Sequence, residues 1–183
     1  QALAQDFKSS PGEGSESVRL MYLLSIASAR HSVRIAAAYF VPDDLSLATL
    51  VEASKRGVKI EVILPGKTTD TELTRKASSS RWGKLLEAGI AIFEYQPTMF
   101  HCKVMIVDDS WVSVGSTNFD SRSFRLNDEA NLNVFESAFA QDQIRIFEVD
   151  KARSRQVSLQ EWTQRPWTDK FLEHAAGLLR SQL

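Results

Sequence analysis

"HCKVMIVDDSWVSVGSTNFDSRSF", from His101 to Phe124, sets two short apolar runs around a polar turn and then breaks into Gly-Ser. Val, Met and Ile dominate both runs, so "FHCKVMIVD" and "WVSVG" read as two strands joined by the "DDS" turn, with "EANLNVFE" as a further strand. A buried strand avoids charge, yet His101 and Lys103 stand two residues apart. Side chains two apart on a strand share a face, so this pair converges on one point while Cys102 faces away as an inert packing residue.

Upstream, "ESVRLMYLLSIASAR" places Val18, Met21, Tyr22, Ser25 and Ile26 at helical spacing before the compact run "HSVRIAAAYF". The arrangement recurs. "LSLATLVEASKRG" stops at Gly57 before "VKIEVILPG", and "SSRWGKLLEAG" stops at Gly89 before "IAIFEYQ". Helices alternating with strands predict an α/β fold with a mixed, mostly parallel sheet flanked by helices. From Ser137 the chain reads as helices interrupted near "QRPWTD", with Pro166 in a first turn. Phe171, Leu172, Ala175, Leu178 and Leu179 form one face of the last helix, which is expected to pack on the chain's own sheet.

With 183 residues, 43% apolar and 25% charged, the chain is expected to be one globular domain over residues 17–183. The opening "QALAQDFKSSPGEGSES" is polar and lacks an initiator methionine, so residues 1–16 read as a linker or boundary segment. A formal net charge of -1 supplies no basic track, which makes nucleic acid an unlikely partner. The single cysteine excludes an internal disulfide, and no stretch approaches the roughly 20 apolar residues that span a bilayer.

The "GST" turn supplies what an anion needs. Gly115 permits close backbone approach, and Ser116 and Asn118 offer neutral donors that could cradle a phosphoryl group together with Lys103. A nucleophilic imidazole is best oriented by a carboxylate on its other nitrogen, for which Glu129, Asp128 and Asp120 are the candidates. The other histidines, His31 and His174, have no phosphate-binding companions. No ligand-spaced cluster of histidines and carboxylates appears, so no metal is expected.

The pattern H-x-K-x4-D at His101, Lys103 and Asp108, followed by G-S-x-N at Gly115, Ser116 and Asn118, resembles the phospholipase D superfamily. The run "GSTNFDSRSFRLNDEANL", preceded by "YFVPD" and "EYQPTMFHCK", is more narrowly similar to the C-terminal half of bacterial cardiolipin synthases, and the likeness extends from about Tyr39 through "EWTQRP" to the C-terminus. The resemblance implies a phospholipase D-like α/β/α sandwich and phosphatidyl transfer through a phosphohistidine, without cofactor. In such families one motif histidine attacks phosphorus and a second protonates the leaving alcohol. By motif position, His101 is one of these. Lys103, Ser116 and Asn118 then bind phosphate oxygens beside Gly115, and Glu129 is the carboxylate partner of the histidine.

Asp108 lies about 16 Å beyond Lys103 at strand rise, so a structural or charge-pairing role is expected for it. Arg122 and Arg125 follow the turn closely enough to position the loop or contact a lipid headgroup. Tyr39, Phe40 and Pro42 either cap the core or line an acyl or glycerol pocket. The implied substrate is phosphatidylglycerol at a membrane surface, with the parent protein at the cytoplasmic membrane. One motif cannot easily serve as acid and base on opposite sides of phosphorus, so the second is expected from an upstream domain or a homodimer partner. The alternatives are a homodimeric phosphodiesterase or nuclease and a non-catalytic scaffold half.

Overall fold

The computed structural model describes residues 2–10, 16–68 and 72–167, so the helix expected around residues 171–179 and His174 lie outside it. Leu3–Ser9 forms a strand, β1, which corrects the reading of residues 1–16 as a linker. Its side chains are mostly exposed; seven consecutive pairings, Leu3 with Phe135 through Ser9 with Glu129, hold it. Backbone pairing of this kind leaves no hydrophobic period in the sequence.

Helix α1 (Ser17–Ser28) turns Val18, Tyr22 and Ile26 inward and leads to β2 (Ser32–Ala37). Helix α2 (Asp44–Lys55) starts where the Asp43 carboxylate accepts the Ser46 N–H at 2.7 Å. It is followed by Gly57, whose φ of +93° suits glycine. Next come β3 (Lys59–Pro65), α3 (Glu72–Ser79), α4 (Trp82–Glu87) and β4 (Ala91–Tyr95). The central hairpin is β5 (Lys103–Val107) and β6 (Trp111–Gly115). After it follow α5 (Ser121–Arg125), β7 (Glu129–Phe135), α6 (Ser137–Ala152), β8 (Ser154–Val157) and α7 (Leu159–Gln164). Strand β8 was not expected in a region read as helical; it is four residues long and pairs antiparallel with β4.

The described strands form one sheet in the order β1-β7-β6-β5-β2-β3-β4-β8. It is mixed, as expected, but only β2–β3 and β3–β4 run parallel. The other five pairings are antiparallel, which corrects the mostly parallel expectation. One face packs Val33, Ile35, Val62, Ile92 and Met105 against α1, α2 and α4. The opposite face sets Ile63, Ile106 and Val112 against Ala140 and Phe147 of α6. Helices on both sides make an α/β/α sandwich.

Strand direction creates the functional rim. The end of β2 lies beside the start of β5, with Ala37 opposite Lys103, and the end of β6 lies beside the start of β7, with Gly115 opposite Asn131. Four strand ends therefore deliver their flanking loops to one edge.

Candidate active site

Strand β5 begins at Lys103, three residues later than expected, because its partner β2 ends opposite that residue. The pairing continues by one bond, Ala38 N–H to the Cys102 carbonyl at 2.9 Å, and this still fixes the segment that carries His101. His101 is exposed and meets Lys103 as expected, with Nζ 3.0 Å from Nδ1 and 3.5 Å from Nε2. The Tyr39 ring stands edge-on to the imidazole, with centroids 6.1 Å apart. Cys102 points to the other face, half-buried against the α6 cluster. Burial, aided by the Asp150 charge, pushes its thiol pKa up, so it is a poor thiolate.

The loop after β6 is pinned from below. Phe119 stacks on Tyr22 with centroids at 5.8 Å and meets Phe40 at 5.1 Å and Phe124 at 5.5 Å. Phe119 N–H donates to the Tyr39 carbonyl at 3.0 Å, and Val41 N–H returns to the Phe119 carbonyl at 2.8 Å. Phe40 is thus a core residue. This anchor fixes Asn118, which is 8% exposed and accepts the Tyr39 N–H on Oδ1 at 3.2 Å. With Oδ1 so used, its NH₂ is the group left to donate to an oxyanion.

Gly115 is required by space. A β-carbon there would overlap the Ala130 carbonyl oxygen and Asn131 Oδ1, so the close approach it allows is to β7. Ser116 donates its hydroxyl hydrogen to Glu129 Oε2 and accepts the Ala130 N–H at 3.0 Å. Glu129 is buried, and its Oε1 receives the Asn127 side chain at 3.4 Å. The carboxylate expected beside the histidine is therefore bonded to Ser116 and Asn127, and no hydrogen bond joins it to His101 among the described residues. Ser116 likewise has its donor committed, so it can reach a phosphoryl oxygen only by leaving Glu129.

The other two candidate carboxylates have separate tasks. Asp128 accepts from Ser10 Oγ at 2.6 Å, which ties β1 to the rim. Asp120 caps α5 by accepting the Ser123 N–H at 2.8 Å, while Ser123 Oγ accepts the Asn118 N–H at 3.2 Å. Burial pushes the Asp120 carboxyl up to about 6, with the Ser123 N–H opposing and the Glu129 charge adding. Asn127 and Ser123 are supports that the sequence reading missed. The D-x-x-S spacing of Asp120 and Ser123 is an N-cap signal that could have located the latter.

Asp108 sits at the far end of β5. Its carboxylate accepts the N–H groups of Arg30, His31 and Ser32 at 2.8, 2.7 and 2.9 Å, closing the chain onto the start of β2. Burial raises its pKa, but these three donors outweigh it and hold the carboxyl below its usual range. Arg122 and Arg125 are exposed on α5; Arg125 lies 3.7 Å from Glu16. No helix of the described residues is long and apolar enough to cross a membrane.

A sandwich with an imidazole and ammonium at one strand end, facing a Gly-Ser-x-Asn turn, defines the phospholipase D class. Nuc, a phospholipase D family member from Salmonella typhimurium, has the same fold: TM-score 0.74, 25% identity, covering 86% of this chain and 99% of that one. Phosphatidylserine synthase of Haemophilus influenzae shares the fold at TM-score 0.78 and 14% identity, covering 98% of this chain and 48% of that one. Residues 22–151 match the family described as cardiolipin synthase, phospholipase D-like domain, and the chain belongs to that family. The cardiolipin synthase of Geobacillus kaustophilus is 33% identical over 169 residues, covering 92% of this chain and 34% of that protein. The chain spans about a third of the length of the curated relatives it matches.

Proposed function

We propose that this chain is the C-terminal half of a catalytic unit that makes cardiolipin from two phosphatidylglycerol molecules at a membrane surface. One motif imidazole attacks the donor phosphorus, forming a P–N bond as the bond to the headgroup glycerol breaks. The second motif histidine protonates the departing glycerol oxygen. That now neutral imidazole takes the proton from the acceptor's hydroxyl, the alkoxide attacks phosphorus, and the P–N bond breaks. His101 fills one of these roles. Lys103 and the Asn118 amide balance the phosphoryl charge, and Ser116 joins them when it leaves Glu129.

The observation that carries this reading is the contact of His101 with Lys103 beside Tyr39, whose N–H is held by Asn118, in a chain 33% identical to a cardiolipin synthase across 92% of its length. The second histidine comes from the remainder of the longer protein. Self-pairing is a second source, favoured by the match to 99% of Nuc, where one such domain makes up nearly the whole chain. Mass spectrometry of phosphatidylglycerol vesicles incubated with rising concentrations of the chain tests both. His101-dependent cardiolipin that climbs steeply with concentration supports self-pairing, and product only in the longer protein supports two halves. Equal product from His101→Ala would remove the assignment.

A further inference from the structure

At the end of the sheet opposite the catalytic rim, an open groove of about 620 Å³ runs between α1 and the β1–β7 edge. Val107 and Asp108 border it, and they lie at the other end of β5 from Lys103. It is therefore separate from the phosphoryl site.

The groove is built from two apolar walls. Leu20 and Leu24, one helical turn apart on α1, are 55% and 68% exposed, although the buried face of the same helix is formed by Val18, Tyr22 and Ile26. Phe7 of β1, Trp111 and Phe135 face them, the last 48% exposed. The volume falls within the range of roughly 300–1,000 Å³ typical of small-molecule pockets, and the walls have the expected apolar character. Such a site needs few polar contacts.

Those contacts are distinctive. Ser25, Ser28 and Ser110 edge the groove, and among the described residues no lysine or arginine lines it. The one carboxylate present, Asp108, is already bonded to three N–H groups. Asn133 lines the floor, 1% exposed; its Nδ2 is directed at the Met21 sulfur at 2.9 Å, and its Oδ1 is buried with no partner among the described residues. A buried acceptor without a donor is costly, by about 1–3 kcal/mol in general. A phosphate would find no cation here, whereas a hydroxyl would supply the missing donor.

We propose that this groove binds the alkyl chain of an uncharged, hydroxyl-bearing single-chain amphiphile whose O–H donates to Asn133. The apolar walls take the chain and the serine edge takes the neutral head. The site does not depend on the transfer chemistry at His101.

Trp111 in the wall gives a direct reading. The chain is titrated with 10-bromodecan-1-ol, whose bromine quenches indole fluorescence on contact. Saturable quenching that is absent in Trp111→Phe and at least tenfold weaker in Leu24→Asp is expected. Leu24 is exposed, so that variant keeps the fold. 1-Bromodecane, lacking the hydroxyl, is expected to bind about tenfold more weakly, and Asn133→Leu to erase that difference. His101→Ala is expected to bind normally, which separates this result from any failure of the transfer reading. The proposal is overturned by non-saturable quenching, by quenching indifferent to Leu24→Asp, or by self-association that Leu24→Asp abolishes, which would assign the face to a second copy.

Discussion

Lys103 Nζ lies 3.0 Å from Nδ1 of His101. An ammonium group can only donate, so the imidazole is the acceptor in this contact. The proposed phosphate-binding cation and the proposed reactive imidazole thus hold one another in the free site. An arriving phosphoryl oxygen is the stronger partner for the ammonium and frees the imidazole nitrogen. Lys103→Met is expected to lower kcat/KM for phosphatidyl transfer by the longer protein at least about a hundredfold. Wild-type turnover in that variant would remove Lys103 from phosphate binding.

Ser116 and Glu129 are bonded across the β6–β7 register, thirteen residues apart in the chain. Each is the other's main polar contact, so their substitutions are expected to be non-additive. Ser116→Ala and Glu129→Gln should each reduce turnover, and the double variant should lose little more than the worse single. A double-mutant cycle on kcat/KM measures this directly. Simple multiplication of the two losses would mean that the pair does not act as a unit.

Asp108 separates fold from chemistry within one motif. Its carboxylate serves the Arg30, His31 and Ser32 N–H groups, not the rim. Asp108→Ala leaves those donors unpaired and is expected to cost roughly 1–3 kcal/mol in urea unfolding. Turnover per folded molecule should stay within about twofold of wild type, by its distance of about 16 Å from Lys103 at strand rise. A hundredfold fall in turnover with unchanged stability would reverse the assignment.

Asp120 predicts a pH dependence of stability. Its folded pKa of about 6 lies above the ordinary carboxyl value of 3.8, so the folded chain binds this proton more tightly than the unfolded chain. The resulting stability is complete below about pH 4 and is lost as pH rises through about 6. Asp120→Asn keeps a capping oxygen and cannot titrate. Its advantage over wild type is expected to grow across that window, by up to about 3 kcal/mol. Urea midpoints from pH 4 to 7 that run parallel for both proteins would contradict this.

The sequence displayed those features that leave a local period. The helices α1, α2 and α4, the β5–β6 hairpin and the polar turn after Gly115 were all legible from apolar spacing and glycine stops. Strands β1 and β8 were not, because backbone pairing holds residues whose side chains are mainly exposed or polar. Strand direction was also hidden, since alternation is the same in parallel and antiparallel ladders. In the site, His101 and Lys103 meet because they stand two positions apart with only Cys102 between them, which local geometry encodes. The partner of Glu129 depends on how β6 and β7 align, and no short stretch contains that register.

The most direct test is cardiolipin formation from phosphatidylglycerol vesicles by the longer protein with and without His101→Ala, followed by lipid mass spectrometry. His101 is exposed, so its removal should leave the thermal midpoint nearly unchanged. The account predicts a loss of at least about a thousandfold in the rate of product formation, as for removal of a group that acts on the reacting atoms. A folded His101→Ala protein that makes cardiolipin at the wild-type rate would contradict it.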